Sequence, residues 1–134
     1  MSNHVFLICT HGRFGEELIK SAEMIGGQLK NVYAFSLLQG VEPEIYMQQI
    51  EEKLKELKGQ SIICLVDLFG GTPCNTVAQL TQRYDLQIVT GVNLAMLLEM
   101  DSQKNNLESK ELIELGLNTL KGSGRDVLSY LKGR

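Results

Sequence analysis

Short, nearly unbroken apolar runs recur along the chain, and longer stretches of helical period separate them. Val5–Cys9 (VFLIC), Asn31–Leu38 (NVYAFSLL), Ser61–Val66 (SIICLV) and Leu86–Val89 (LQIV) are of strand length and rich in β-branched residues. A run without polar alternation fits a strand covered on both faces. After the first run, residues 14–26 place Phe14, Leu18, Ile19, Ala22 and Ile25 on one helical stripe, and Gly26-Gly27 stops it. Glu42–Leu57 repeats the pattern with Pro43 in the first turn. Thr72 as N-cap and Pro73 as first helical residue open a third helix, running to about Gln82. Leu94–Met100 and Leu107–Lys121 complete the helices, with residues 101–106 a polar loop between them. Asp126–Leu131 fits either an extra edge strand or one further helical turn. Strand-helix alternation of this kind predicts an α/β fold: an open, mostly parallel sheet with helices on both faces.

The 134 residues are expected to form one domain, residues 1–134. At 43% apolar and 22% charged, the chain has a globular composition that excludes intrinsic disorder. Its net charge is −3, and no basic stretch is dense enough to track a phosphodiester backbone, so nucleic acid is not an expected partner. No apolar run approaches the roughly 18–20 residues of a membrane span. The start of the chain has no basic segment ahead of VFLIC, so the expected location is cytoplasmic. Cys9, Cys64 and Cys74 are odd in number and match no zinc spacing. Cys9 and Cys64 read as buried, reduced structural thiols. Cys74 lies in a glycine-rich loop, and its role stays open. No metal or cofactor is expected.

In an open α/β sheet, ligands bind beyond the carboxyl ends of the strands, where strand order reverses. Thr10, His11, Gly12 and Arg13 follow the first strand; Asp67 and Gly70-Gly71-Thr72 follow the third; Thr90, Gly91 and Asn93 follow the fourth. With strand order 2-1-3-4, His11 and Asp67 face one another across that switch point. Asp67 ends a strongly apolar strand, where a carboxylate is costly unless paired. Accepting a ring N–H of His11 would fix the tautomer and leave the other nitrogen nucleophilic. Gly70-Gly71-Thr72-Pro73 leads into a helix N-terminus, whose free N–H groups favour anions. Beside a nucleophilic histidine, that loop becomes a cradle for a phosphoryl group. The hydroxyls of Thr10 and Thr72 either donate to that group or cap their own turns. Arg13 either adds positive charge or stays solvated. His4 reads as a surface residue. The chain lacks a GxxxxGK[ST] loop, a GxSxG elbow and a cysteine-x5-arginine loop, which sets aside three other chemistries.

Three segments, CTHGRFGEELIKSAEMIGG, VDLFGGTPCN and VTGVNLAMLLE, together resemble the IIA component of the mannose/sorbose class of the bacterial sugar phosphotransferase system. The likeness runs to about residue 121. It implies a flavodoxin-like fold that dimerises. It implies that His11 is the phosphorylated residue, that Asp67 orients it, and that Thr10, Gly71 and Thr72 surround the phosphoryl group. The implied donor is the phosphocarrier HPr. The implied acceptor is a histidine of a IIB component on a separate chain, with membrane IIC and IID components further on. Ala95 stands where a proline often follows GVN, and Leu68-Phe69 occupy a variable, partner-facing position. Phe14 and Phe69 are expected to ring the site, while Met24 is expected in the core. A regulatory IIA-like module, whose phosphorylation reports sugar supply, is the alternative.

Overall fold

The computed structural model describes residues 4–133. The elements follow the order β1 (His4–His11), α1 (Phe14–Gly26), β2 (Val32–Leu37), α2 (Pro43–Glu56), β3 (Ser61–Val66), α3 (Thr72–Leu80), β4 (Gln87–Thr90), α4 (Leu94–Ser102), α5 (Ser109–Gly122) and α6 (Val127–Leu131). The four strands form one parallel sheet in the order β2-β1-β3-β4. This is the expected flavodoxin-like α/β architecture, with the reversal of strand order between β1 and β3.

Alternation along each strand divides the core into two layers. Val5, Leu7 and Cys9 of β1 point to one face, with Ile62, Cys64 and Val66 of β3, and are covered by Tyr46, Ile50 and Leu54 of α2 and Val77 and Leu80 of α3. Phe6 and Ile8, with Ile63 and Leu65, point to the other face and meet Leu18 and Ala22 of α1, Met96, Leu97 and Met100 of α4, and Leu112 of α5. The central strands are apolar on both sides because both sides are covered. Each fully buried aliphatic side chain contributes about 1.5–3 kcal/mol of transfer free energy. A side chain at Gly116 would collide with Met100, so glycine lets α5 lie close against α4.

Several expectations are corrected. His4 is buried inside the fold (1% exposed). One of its ring nitrogens lies 2.8 Å from the Ser61 hydroxyl, and the other donates to the Leu107 carbonyl at 2.8 Å. Ser61 in turn meets Ser109 at 3.1 Å, so the imidazole pins the start of α5 to the starts of β1 and β3. Met24, expected in the core, is 88% exposed. The stretch 101–106 is less loop-like than expected: α4 runs to Ser102, and Lys104 is buried. The Lys104 ammonium donates to the Lys30 carbonyl, pairs with Asp101 at 2.9 Å and lies 4.8 Å from the Phe6 ring centroid. The last long helix begins at Ser109, because Glu108 and Glu111 close a reciprocal capping box there. The tail resolves as the short helix α6, with no edge strand; Asp126 caps it by accepting from the Ser129 amide.

Candidate functional site

The site forms where β1 and β3 end side by side. Cys9 pairs with Val66, so the next residues along each strand lead out of the sheet together. His11 is the last residue of β1 and Asp67 the first after β3. Asp67 Oδ2 accepts from the His11 amide at 2.9 Å and lies 3.0 Å from His11 Nδ1. A carboxylate only accepts, so this contact assigns the ring proton to Nδ1. Nε2 then carries the free lone pair. The His11 side chain is 48% exposed and that of Asp67 only 13%. Among the described residues, Asp67 Oδ1 is buried without a hydrogen-bond partner. A carboxylate with one dry oxygen is poorly solvated, which strengthens its attraction for positive charge developing on the imidazole.

The loop after β1 is shaped by Thr10 and Gly12. Gly12 adopts φ 56°, a left-handed conformation suited to glycine, and its amide donates to the Leu37 carbonyl at 2.8 Å. The Thr10 hydroxyl is fully buried; it accepts from the Gly15 amide at 2.9 Å and donates to the Gly12 carbonyl at 3.3 Å. Of the two alternatives left open for this hydroxyl, capping of its own turn is the one its contacts favour.

The loop after β3 closes over the ring edge. A Cβ at Gly71 would lie 2.7 Å from His11 Cε1 and 3.2 Å from Nε2. The glycine is therefore demanded by space, whereas Gly70, at φ 86°, is suited by conformation. Gly71 is the N-cap of α3, and Thr72 is its first helical residue, one position earlier than the sequence pattern suggests. Asn75 donates from its side chain to the Gly70 carbonyl at 3.1 Å and from its amide to the Gly71 carbonyl at 2.9 Å. Sequence reasoning gave Asn75 no role. Its signal was available, since asparagine in a first helical turn readily bonds nearby backbone.

Arg13 sits two residues beyond His11, with its guanidinium 3.3 Å from Glu16. Glu16 also accepts from the Ser36 hydroxyl at 2.5 Å, and this bond, ahead of the Arg13 charge, holds its carboxyl below the usual range. Asn93 caps α4 by accepting from the Met96 amide at 2.9 Å, and donates to the Ser123 hydroxyl at 3.0 Å.

Beneath Asp67 lie buried groups that stay neutral. Contact with Cys64, and then burial, push the Cys9 thiol well above its ordinary range. Burial likewise raises the Tyr46 phenol, whose hydroxyl donates to the Phe35 carbonyl at 2.8 Å. Cys74 is buried on α3 in the same core layer, which answers its open role as packing. Around the mouth, Phe14 (46%), Leu68 (59%) and Phe69 (82%) are exposed. A concavity of about 680 Å³ lies elsewhere, lined among others by Leu57, Lys58, Ser61 and Arg83, and excludes His11. Among the described residues, no helix is long and apolar enough to cross a membrane, and no group of three or more His, Cys, Asp or Glu side chains is placed to hold a metal ion.

The comparisons with known proteins agree on one family. The chain is 33% identical over 117 residues to the fructose-specific EIIA component of the PTS system of Bacillus subtilis (strain 168), covering 86% of this chain and 77% of that protein. It is 29% identical over 131 residues to the mannose-specific EIIAB component of Escherichia coli (strain K12), which covers 96% of this chain. The chain spans only 39% of the length of that EIIAB relative. Among solved structures, the mannose/sorbose specific IIA subunit of the phosphotransferase system from Enterococcus faecalis superposes with a TM-score of 0.84 at 28% identity, over 93% of this chain and 94% of that one. With residues 5–115 matching the family described as EIIA-man, PTS system fructose IIA component, the chain belongs to that family of phosphotransferase-system IIA components.

Proposed function

We propose that this chain is a phosphocarrier, which takes a phosphoryl group onto His11 from phosphorylated HPr and hands it to a histidine of a IIB component. The observation that carries the reading is the 3.0 Å contact of Asp67 with Nδ1, which leaves Nε2 of the half-exposed imidazole as the free nucleophile. In the first step, the Nε2 lone pair attacks phosphorus in line with the departing nitrogen of the donor. The Nε2–P bond forms as the donor's N–P bond breaks, and the donor imidazole leaves with the bonding pair. The proton on Nδ1 stays in place. Asp67 holds it and stabilises the positive charge that the ring acquires. The second step is the same displacement with His11 as leaving group.

Positioning and charge stabilisation do most of the work in phosphoryl transfer. Gly71 lets the loop approach the ring edge, and the amides of Thr72 and Cys74 in the first turn of α3 supply donors for phosphoryl oxygens. The Thr72 hydroxyl, on the same turn, is assigned as a further donor to them. Thr10 serves from below, by building the turn that presents His11. The site is shallow and rimmed by Phe14, Leu68 and Phe69, which suits approach by a protein surface. The reading places the chain in the cytoplasm, upstream of membrane IIC and IID components, and as a dimer. The exposed apolar side chains of α6 support the dimer, since a second copy would cover them.

The test is intact mass after incubation with phosphoenolpyruvate, enzyme I and HPr. One acid-labile phosphoryl group is expected on the wild type and none on His11→Ala, with circular dichroism unchanged between them. No added mass on the wild type, with HPr itself phosphorylated, would overturn the proposal.

A further inference from the structure

We infer that Arg13 is a second catalytic residue, which leaves Glu16 and binds the phosphoryl group once His11 carries it. The inference rests on the phosphocarrier reading. Arg13 is the only cation in the segment Thr10–Glu16 and is separated from His11 by the Gly12 turn alone. In the unloaded protein its guanidinium lies on Glu16, with the two side chains 62% and 36% exposed. An ion pair this exposed contributes little in water and is readily exchanged for a stronger one.

Glu16 does not depend on Arg13 for its place. Its Oε2 accepts the Ser36 hydroxyl, and Ser36 stands opposite Thr10 across β1 and β2. This fixes one carboxylate on the β2 side of His11, while Asp67 fixes another on the β3 side. An incoming phosphoryl dianion therefore meets two negative groups. With Arg13 parked on it, Glu16 is screened during encounter. After transfer, the phosphoryl oxygens offer the guanidinium a doubly charged, three-acceptor partner whose geometry fits its planar fork better than a single exposed carboxylate. Glu16 stays behind, held by Ser36. Arg13 takes part as a hydrogen-bond donor only: the Nε2–P bond forms as the donor's N–P bond breaks, and no proton leaves the guanidinium.

The experiment follows phosphoryl acceptance from phosphorylated HPr, together with the 31P shift of the loaded protein against pH, for the wild type, Arg13→Ala, Arg13→Lys and Glu16→Gln. Arg13→Ala is expected to slow acceptance by about tenfold or more, the scale of a lost charge-assisted hydrogen bond. It is also expected to raise the midpoint of the second phosphoryl ionisation, because the dianion loses its cation. Arg13→Lys should recover part of both effects, and Glu16→Gln, which frees the guanidinium, should lower the midpoint below that of the wild type. Arg13→Ala with a wild-type rate and a wild-type 31P midpoint would overturn the inference and leave the phosphocarrier reading standing. A wild-type chain that takes no phosphoryl group from loaded HPr would overturn both, and is told apart by the missing 31P signal.

Discussion

Gly71 and Asp67 constrain His11 in different ways, one by leaving space and the other by filling it with charge. A methyl group at position 71 would have to occupy space 2.7 Å from the imidazole Cε1, so ring or loop must shift. Misplacement of a nucleophile by about 1 Å costs on the order of 100-fold in rate. Gly71→Ala should slow phosphoryl acceptance by about that factor while leaving the urea midpoint near wild type, as stopped-time phosphorylation and urea unfolding would show. Asp67→Asn removes the charge that steadies the developing imidazolium and allows the amide to donate to Nδ1, which favours the wrong tautomer. A loss of roughly 100-fold or more is expected. An Asp67→Asn protein that accepts phosphoryl at the normal rate would sink the orienting role. Both residues stand out in the sequence, Asp67 as a carboxylate closing an apolar strand and Gly71 as half of a glycine pair ahead of a helix. Asn75 does not, because its task is to bond the Gly70 and Gly71 backbone, and only the folded loop reveals that geometry.

Elements were legible wherever burial on both sides left a strand with no polar face. β1 and β3 are the clearest cases, and β3 keeps the sequence-derived bounds Ser61–Val66. Their limits were less clear where a tertiary contact overrides composition. His4 lies just ahead of an apolar run, and nothing local announces that Leu107, 103 positions away, will accept its ring N–H. Lys104 is the parallel case, a lysine in a polar stretch made tolerable in the interior by Asp101, the Lys30 carbonyl and the Phe6 ring. Met24 errs in the opposite direction: it sits one helical step off the stripe that Leu18 and Ala22 define, and so faces solvent. His4→Ala would strand the Leu107 carbonyl and leave the Ser61 hydroxyl with Ser109 alone as partner. A loss of about 2–3 kcal/mol in urea unfolding is expected, with phosphoryl acceptance unchanged, since His4 lies at the far end of β1 from His11.

Across the whole molecule, the two core layers account for the sheet and the long helices, but α6 is outside both. It has no buried residue, and Val127, Leu128, Tyr130 and Leu131 are 62–73% exposed. Its sequence fitted edge strand and helix equally, because six residues give too short a window to separate the two periods. If α6 is the contact between copies, removal of residues 126–134 should convert a dimer into a monomer in sedimentation equilibrium, with the thermal midpoint of the domain itself little changed. A truncated chain that still sediments as a dimer would place the contact elsewhere.

One nitrogen of the half-exposed His11 ring is occupied by Asp67, which leaves Nε2 as the other. In-line displacement requires the incoming and outgoing groups to lie on a line through phosphorus, so under the proposed phosphocarrier role both the donor and the acceptor would have to reach that same Nε2 edge. Two proteins cannot stand on it together. A carrier built as proposed would have a single berth: a donor would have to depart before an acceptor arrived, no ternary complex would lie on the path, and either protein in excess would slow the other's turn. Flow through such a carrier would be set by the balance of the two partners' concentrations as much as by the chemistry at the ring.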